Sequence, residues 1–208
     1  MRLKNVRGAS DVIEASKYVI ESPSNYKGEF KKLFNNDNPL HLEIGMGKGQ
    51  FITEMAKAFP NINFIGIEMY DSVIIRAVQK QDELELPNLK LIKVDATEIE
   101  GIFDHEIDVL YLNFSDPWPK NRHEHRRLTS DRFLKRYDSI FKDKKVIIQK
   151  TDNRNLFEFS LKSFTDYGYK IEELSLDLHK DDYFNIETEY EQRFSEMGFP
   201  IYMVKVIK

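Results

Sequence analysis

From Pro39 onward the chain alternates short apolar runs with stretches whose apolar residues recur every three or four positions. His41 to Ile44, Asn63 to Ile67, Leu89 to Val94, Asp108 to Phe114 and Lys145 to Ile148 have the length of strands. The fourth is the most continuously apolar, which predicts a central strand covered on both faces. Between these runs, Gln50 to Ala58, Ser72 to Leu86 and Arg132 to Phe141 carry a stripe of helical period. Strand and helix in alternation imply right-handed βαβ units and a mostly parallel sheet with helices on both faces. A helix from Asn153 to about Tyr167 is expected to end at Gly168, followed by strand-like runs Lys170 to Leu178 and Ile201 to Ile207. The pattern therefore predicts an α/β fold with a parallel five-strand core and a late antiparallel strand, seven strands in all. Residues 1–38 are less regular. They read as an N-terminal arm and helix, with Tyr18, Tyr26 and Phe30 available for packing, ahead of the main domain at 39–208.

Composition narrows the class. Among 208 residues, 41% are hydrophobic and 32% charged, which fits one soluble core and excludes a disordered or fibrous chain. The absence of cysteine removes disulfides, thiolate nucleophiles and thiolate zinc sites, and suits a reducing compartment. No signal-peptide core opens the chain, and no run approaches the roughly 18 apolar residues of a membrane span. A cytoplasmic protein is expected, with no membrane, no metal, and a monomeric or homodimeric state. The net charge of −4 lacks the general basic footprint of a nucleic-acid binder, so any RNA surface must be local. Lys120 to Arg136 is basic and Asp177 to Glu196 acidic, an asymmetry that a solvated loop and a solvated helix would also produce.

In an open parallel sheet the ligand lies beyond the carboxyl ends of the strands where strand order reverses. After the first strand stands Glu43-Ile44-Gly45-Met46-Gly47-Lys48-Gly49-Gln50, whose alternate glycines permit a tight turn and a close ligand. A dinucleotide fingerprint fails at Gln50, where its third glycine belongs, and a P-loop fails because Gly49 follows Lys48. A nucleoside ligand without a pyrophosphate remains. Glu43 could pair with a cationic head group, Glu68 at the second strand's end could accept from ribose hydroxyls, and Asp95 at the third could accept from an adenine amine. Acids also sit singly at strand ends as turn formers; their occurrence at three successive strands is what points to a ligand. Together they resemble the class I S-adenosylmethionine-dependent methyltransferases, a Rossmann-like fold in which these positions hold the cofactor.

The fourth strand runs into Asn113-Phe114-Ser115-Asp116-Pro117-Trp118-Pro119-Lys120. Two prolines around the sole tryptophan fix a rigid turn, holding Asp116 at the rim of the expected pocket. Guanine N7 attacks through an in-plane lone pair and carries no proton. For that nucleophile Asp116 would grip the guanine edge or offset the developing cation, with no general base required. An exocyclic amine would favour a second proline where Trp118 stands. A core tryptophan in a proline-rich loop is the plainer reading.

Asp116-Pro117-Trp118-Pro119-Lys120, the Arg122-His123 and Arg126-Arg127-Leu128-Thr129 run, Thr151-Asp152-Asn153, and Thr188-Glu189-Tyr190-Glu191 with Phe194 resemble the bacterial tRNA (guanine-N7)-methyltransferase family from about Ser22 to the C-terminus. The resemblance implies S-adenosylmethionine as donor and a guanine of the tRNA variable loop as acceptor. Glu43, Gly45, Gly47, Gly49, Glu68, Asp95 and Asp116 would hold the cofactor, with Asp116 the catalytic acid. Lys120, Asp152, Thr188, Glu189, Tyr190 and Glu191 would meet the substrate, while Arg122, His123, Glu124, His125, Arg126 and Arg127 would lie on RNA. His125 stands where a lysine is expected, which weakens one RNA contact at neutral pH. Tyr190, Phe194 and Met197 recur at helical spacing and are expected to form a packed stripe. A methyltransferase acting on an exocyclic amine of a base or protein side chain, and a non-catalytic RNA-binding module, are the alternatives.

Overall fold

Seven strands form one sheet in the computed structural model, which describes residues 8–208. They are β1 (Leu40–Ile44), β2 (Asn63–Glu68), β3 (Leu89–Lys93), β4 (Ile107–Asn113), β5 (Phe141–Thr151), β6 (Lys170–Ser175) and β7 (Tyr202–Ile207), in the order β3-β2-β1-β4-β5-β7-β6. The first five pair in parallel, and β7 runs antiparallel between β5 and β6. The chain walks outward from β1 to β3 and then crosses back to β4. The carboxyl ends of β1 and β4 therefore open the crevice at which such sheets bind ligands. Every residue of β1 and β2 is buried, as expected of strands covered on both faces.

Helices α1 (Ala9–Ala15), α2 (Gln50–Ala58) and α3 (Asp71–Leu84) cover one face, with Ile13, Phe51, Ile52, Ile74 and Val78 in its core. The short α4 (Ile99–Ile102), α5 (Asp131–Asp138) and α6 (Arg154–Asp166) cover the other, packing Ile102, Leu134, Tyr137, Phe157 and Phe164. The arm is drawn onto this body. Tyr18 and Ile20 exchange backbone hydrogen bonds with Leu91 of β3, both 2.9 Å, and Phe30 is buried with its ring 4.7 Å from that of Phe103. The arm's first seven residues lie outside the described part.

Several expected boundaries move for identifiable reasons. The helix expected to reach Phe141 stops at Asp138, and β5 begins at Phe141. Exposed Lys142, Asp143 and Lys144 interrupt that strand's apolar pattern, and the pairing jumps from Ile107 with Phe141 to Val109 with Val146. The strand expected to reach Leu178 ends at Ser175, since Leu178 starts a 3-10 turn. The connection from Asp181 to Pro200 contains α7 (Glu189–Glu196), whose start is a capping box between Thr188 and Glu191.

Candidate active site

At the switch point β1 delivers Glu43 into a cleft of about 450 Å³. Its walls come from Gly45 and Gly47, from Asn113 and Phe114 after β4, and from Thr188, Glu189 and Tyr190 at the start of α7. Glu43 is only 2% exposed, and burial pushes its carboxyl up to about 7 against the opposing pull of Asn113 and Lys150. Asn113 Nδ2 donates to Glu43 Oε1 at 2.8 Å. Glu43 Oε2 and Asn113 Oδ1 are buried with no hydrogen-bond partner among the described residues. A buried polar atom without a partner is costly, so this pair suits a ligand carrying a cationic donor.

Gly45, Gly47 and Gly49 all take positive φ, at 75, 60 and 77°. A Cβ on Gly49 would stand 2.7 Å from that of Ala77, so the loop is doubly restricted there. Glu68 braces this loop by accepting from the amides of Gly47 at 3.3 Å, Met69 at 2.9 Å and Tyr70 at 3.1 Å. Burial raises its carboxyl while these amides oppose the rise. Asp95 does not close β3, which ends at Lys93; it caps the following turn, with Oδ1 accepting from both the amide and the hydroxyl of Thr97 at 2.8 Å. Only its second oxygen is left for a ligand.

The loop after β4 is strained. Phe114 and Trp118 sit at φ 50 and 41°, the left-handed region that bulky residues avoid, at about 1–3 kcal/mol each. The surroundings hold it there. Phe114 N donates to Lys150 O at 2.8 Å, while Arg127 donates from Nε to Pro117 O at 3.0 Å and from Nη2 to Trp118 O at 3.1 Å. Arg127 is buried, its guanidinium 4.2 Å from the centre of the Phe159 ring. The residue expected on RNA thus lies against the reaction loop, with two of that loop's carbonyls in its fork. Asp116 itself is exposed, and its charge reaches Glu68.

Beyond it the basic run winds into a 3-10 turn, Asn121–Arg126. Lys120, Arg122, Glu124, His125 and Arg126 are exposed, and Arg126 lies 4.9 Å over the Trp118 ring. The tryptophan is half-buried in the loop and outside the main core. His123 packs at 5.9 Å from it, and desolvation followed by the charge of Arg126 holds its imidazole below the usual range.

Helix α7 closes the opposite wall. Glu189 accepts from Lys48 of the glycine loop at 2.8 Å and from Lys80 of α3 at 3.1 Å. Tyr190 stacks on Phe194 at 4.2 Å and 16°, and lies 5.1 Å from Phe114. The stripe expected to be packed is therefore largely open: Tyr190 is 45% and Met197 59% exposed. Glu191 departs in the other sense. It is fully buried inside the wall, ion-paired with Lys150 at 2.6 Å. Asp152 is half-buried, its carboxyl raised by burial, and its charge reaches Tyr190.

Sequence reasoning overlooked Asn113, Lys150 and the anchoring role of Arg127. Lys150 had one visible sign, a lysine following an apolar run at the end of a strand that should be covered on both faces.

A family model described as "Putative methyltransferase" matches residues 37–204. A tRNA (guanine-N(7)-)-methyltransferase of Lachnoclostridium phytofermentans is 51% identical over 97% of this chain and 96% of that protein. One of Bacillus subtilis is 50% identical over 99% and 98%. Among solved structures, an antibiotic-related methyltransferase superposes with a TM-score of 0.65 at 17% identity, covering 86% of this chain and 92% of the other. An S-adenosylmethionine-dependent methyltransferase from Aquifex aeolicus gives 0.56 at 14% identity, with 96% and 97% covered. At such identities the likeness concerns the fold alone, the class I methyltransferase fold. Half-identity to curated relatives over nearly the whole length goes further: the chain belongs to the bacterial tRNA (guanine-N7)-methyltransferase family.

Proposed function

We propose that this protein transfers a methyl group from S-adenosylmethionine to N7 of a guanine in the variable loop of tRNA, in the cytoplasm. The observation that carries the donor half is the buried Glu43, with an unpartnered oxygen at the floor of a glycine-walled cleft on the switch point. The guanine half is supported by the relatives' activity and by the constrained loop that carries Asp116, whose charge reaches Glu68. When bound, S-adenosylmethionine supplies a methyl on a sulfonium that already carries its leaving group.

The chain's own residues bind and align. Glu43 holds the donor's ammonium, Glu68 its ribose hydroxyls, and the second oxygen of Asp95 its adenine amine. Asp116 receives the donor hydrogens of the guanine edge and offsets the charge that grows on the ring. Lys120, Thr188, Glu189 and Tyr190 bound the guanine's place, with Asp152 behind Tyr190. Alignment of this kind can supply roughly 7 to 11 kcal/mol of the barrier reduction. Arg122, His125 and Arg126, exposed on the turn beside the loop, take phosphates and fix register; His123 supports Trp118, and Glu124 faces away from that task by its charge. Among the described residues no helix is long and apolar enough to cross a membrane.

Two expectations follow here. Glu68→Ala should weaken donor binding by roughly 1.5 to 3 kcal/mol, with tRNA affinity largely intact; calorimetry giving equal donor affinities would remove Glu68 from the donor site. Arg126→Ala should shallow the log-log salt dependence of tRNA binding by about 0.7 to 0.9. Arg127→Ala should leave that slope unchanged and slow methyl transfer, because it frees the reaction loop. Equal slope changes in the two variants would return Arg127 to the RNA surface.

A further inference from the structure

Helix α7 and the residues before it form one wall of the cleft; Phe194 and Ile186 pack on apolar clusters of the body, while Tyr190, Met197 and Phe199 are exposed. Besides the surface ion pairs of Glu189 with Lys48 and Lys80, the wall has a buried polar tie to the sheet in Lys150, the penultimate residue of β5, paired in register with Asn113 of β4. Its side chain is 4% exposed. The ammonium donates to Glu191 Oε2 at 2.6 Å, to Asn185 Oδ1 at 2.9 Å and to Ile186 O at 2.8 Å, which uses all three of its donors on one segment. Glu191 answers in kind, accepting from Asn185 Nδ2 at 2.6 Å and lying 3.2 Å from His179 Nε2, while Thr188 and Glu191 cap the helix reciprocally. Lys150 Nζ also lies 4.9 Å from the centre of the Phe51 ring, in the floor of the same cleft.

Burying an ion pair gains little or no net stability over apolar residues of the same volume, because desolvation of both charges offsets their attraction. What such a pair does supply is fixed geometry. Here the geometry it fixes is the distance between the carboxyl ends of neighbouring strands, which bear Lys150, Asn113 and Glu43, and the segment 185–191. We propose that Lys150 is a positioning residue: it locks the substrate-side wall of the cleft over the donor site, so that guanine placement depends on a buried charge that touches neither ligand.

A second consequence follows from position. Lys150 favours the ionised form of Glu43, whereas burial and the nearby Glu68 oppose it, and the Glu43 charge is felt in turn by Tyr111. Replacing the ammonium by an apolar group therefore drives the Glu43 carboxyl further up. Donor binding, which needs that carboxylate, should then titrate at higher pH.

The inference rests on the tRNA methylation proposed above, and the wild-type protein tests that reading separately, since it must methylate tRNA before any variant can be compared. Lys150→Met and Glu191→Gln would be prepared as full chains, the second keeping shape while removing the charge and one acceptor of the Glu191 carboxylate, the first removing the ammonium that this carboxylate faces. Thermal unfolding, S-adenosylmethionine affinity from pH 6 to 9, and KM and kcat for tRNA would be measured on each. Both variants should raise KM for tRNA by about tenfold or more with saturating donor, while donor affinity at pH 9 changes less than threefold. Lys150→Met alone should move the midpoint of donor binding to higher pH. An unchanged KM for tRNA in a folded Glu191→Gln, or donor and tRNA parameters falling together in proportion to lost thermal stability, would overturn the proposal. So would a donor-binding midpoint shifted equally in both variants.

Discussion

Asp116→Asn should lower the single-turnover rate of methyl transfer by about 10² or more while changing tRNA affinity much less. The substitution keeps shape and removes charge, so it isolates the electrostatic contribution of the carboxylate. The surrounding geometry makes that contribution large. Phe114 and Trp118 are held in left-handed backbone on either side of Asp116, and Arg127 ties down the carbonyls of Pro117 and Trp118. A carboxylate on a preorganised loop needs no reorganisation as cationic charge grows on the guanine. A general base would behave differently. Proton removal in the transition state would give a solvent isotope effect on the chemical step, confined to the wild type. Single-turnover rates of both proteins in light and heavy water separate the two roles, and near-normal chemistry in the variant would show that Asp116 has been misassigned.

Glu43→Gln should have the second large effect, and of opposite sign on binding and on stability. Loss of the carboxylate is expected to weaken S-adenosylmethionine binding at pH 8 by roughly 1.5 to 3 kcal/mol, the range for hydrogen bonds to charged groups. In the wild type that binding should fall as pH drops through about 7, where burial places the Glu43 carboxyl, and the variant should lose this dependence. Stability runs the other way. A folded-state value of about 7 against an ordinary 4.5 means that the native protein holds the proton more tightly than the unfolded chain. The Glu43 contribution to stability is therefore fully present below about 4.5 and is lost as pH rises to about 7. At pH 8, Glu43→Gln should thus stabilise the ligand-free protein, by an amount on the order of 3 kcal/mol. Denaturant melts at pH 5 and pH 8 check this, and an equal effect at both values would contradict it.

The parallel core was legible because each of its first four strands is a short, mostly apolar run, and because the helices between them keep one apolar face. Glu43 and Glu68 at the ends of β1 and β2, and the glycines between, could be placed from that pattern alone. The fifth strand was harder: the charged Lys142 to Lys144 leave the sheet's apolar rhythm as an irregularity, and no window of alternation survives them. Within the site, the buried positions of Arg127 and Glu191 share a cause for not being legible. Arg127 and Glu191 are charged residues in charged surroundings, and a sequence does not say which of several neighbouring charges turns inward. Glu191 carried a usable signal in the Thr188-x-x-Glu191 spacing of a capping box, which predicts a reciprocal backbone role. Arg127 carried none, since its partners are backbone carbonyls ten and nine residues away.

The central claim is tested most directly by incubating bulk tRNA lacking the modification with the purified protein and S-adenosylmethionine labelled in its methyl group, then digesting the RNA and identifying the labelled nucleoside. Label in 7-methylguanosine, lost in parallel with Asp116→Asn, is the predicted result. Label on an exocyclic amine, or no transfer to tRNA by a protein that binds the donor, would contradict it.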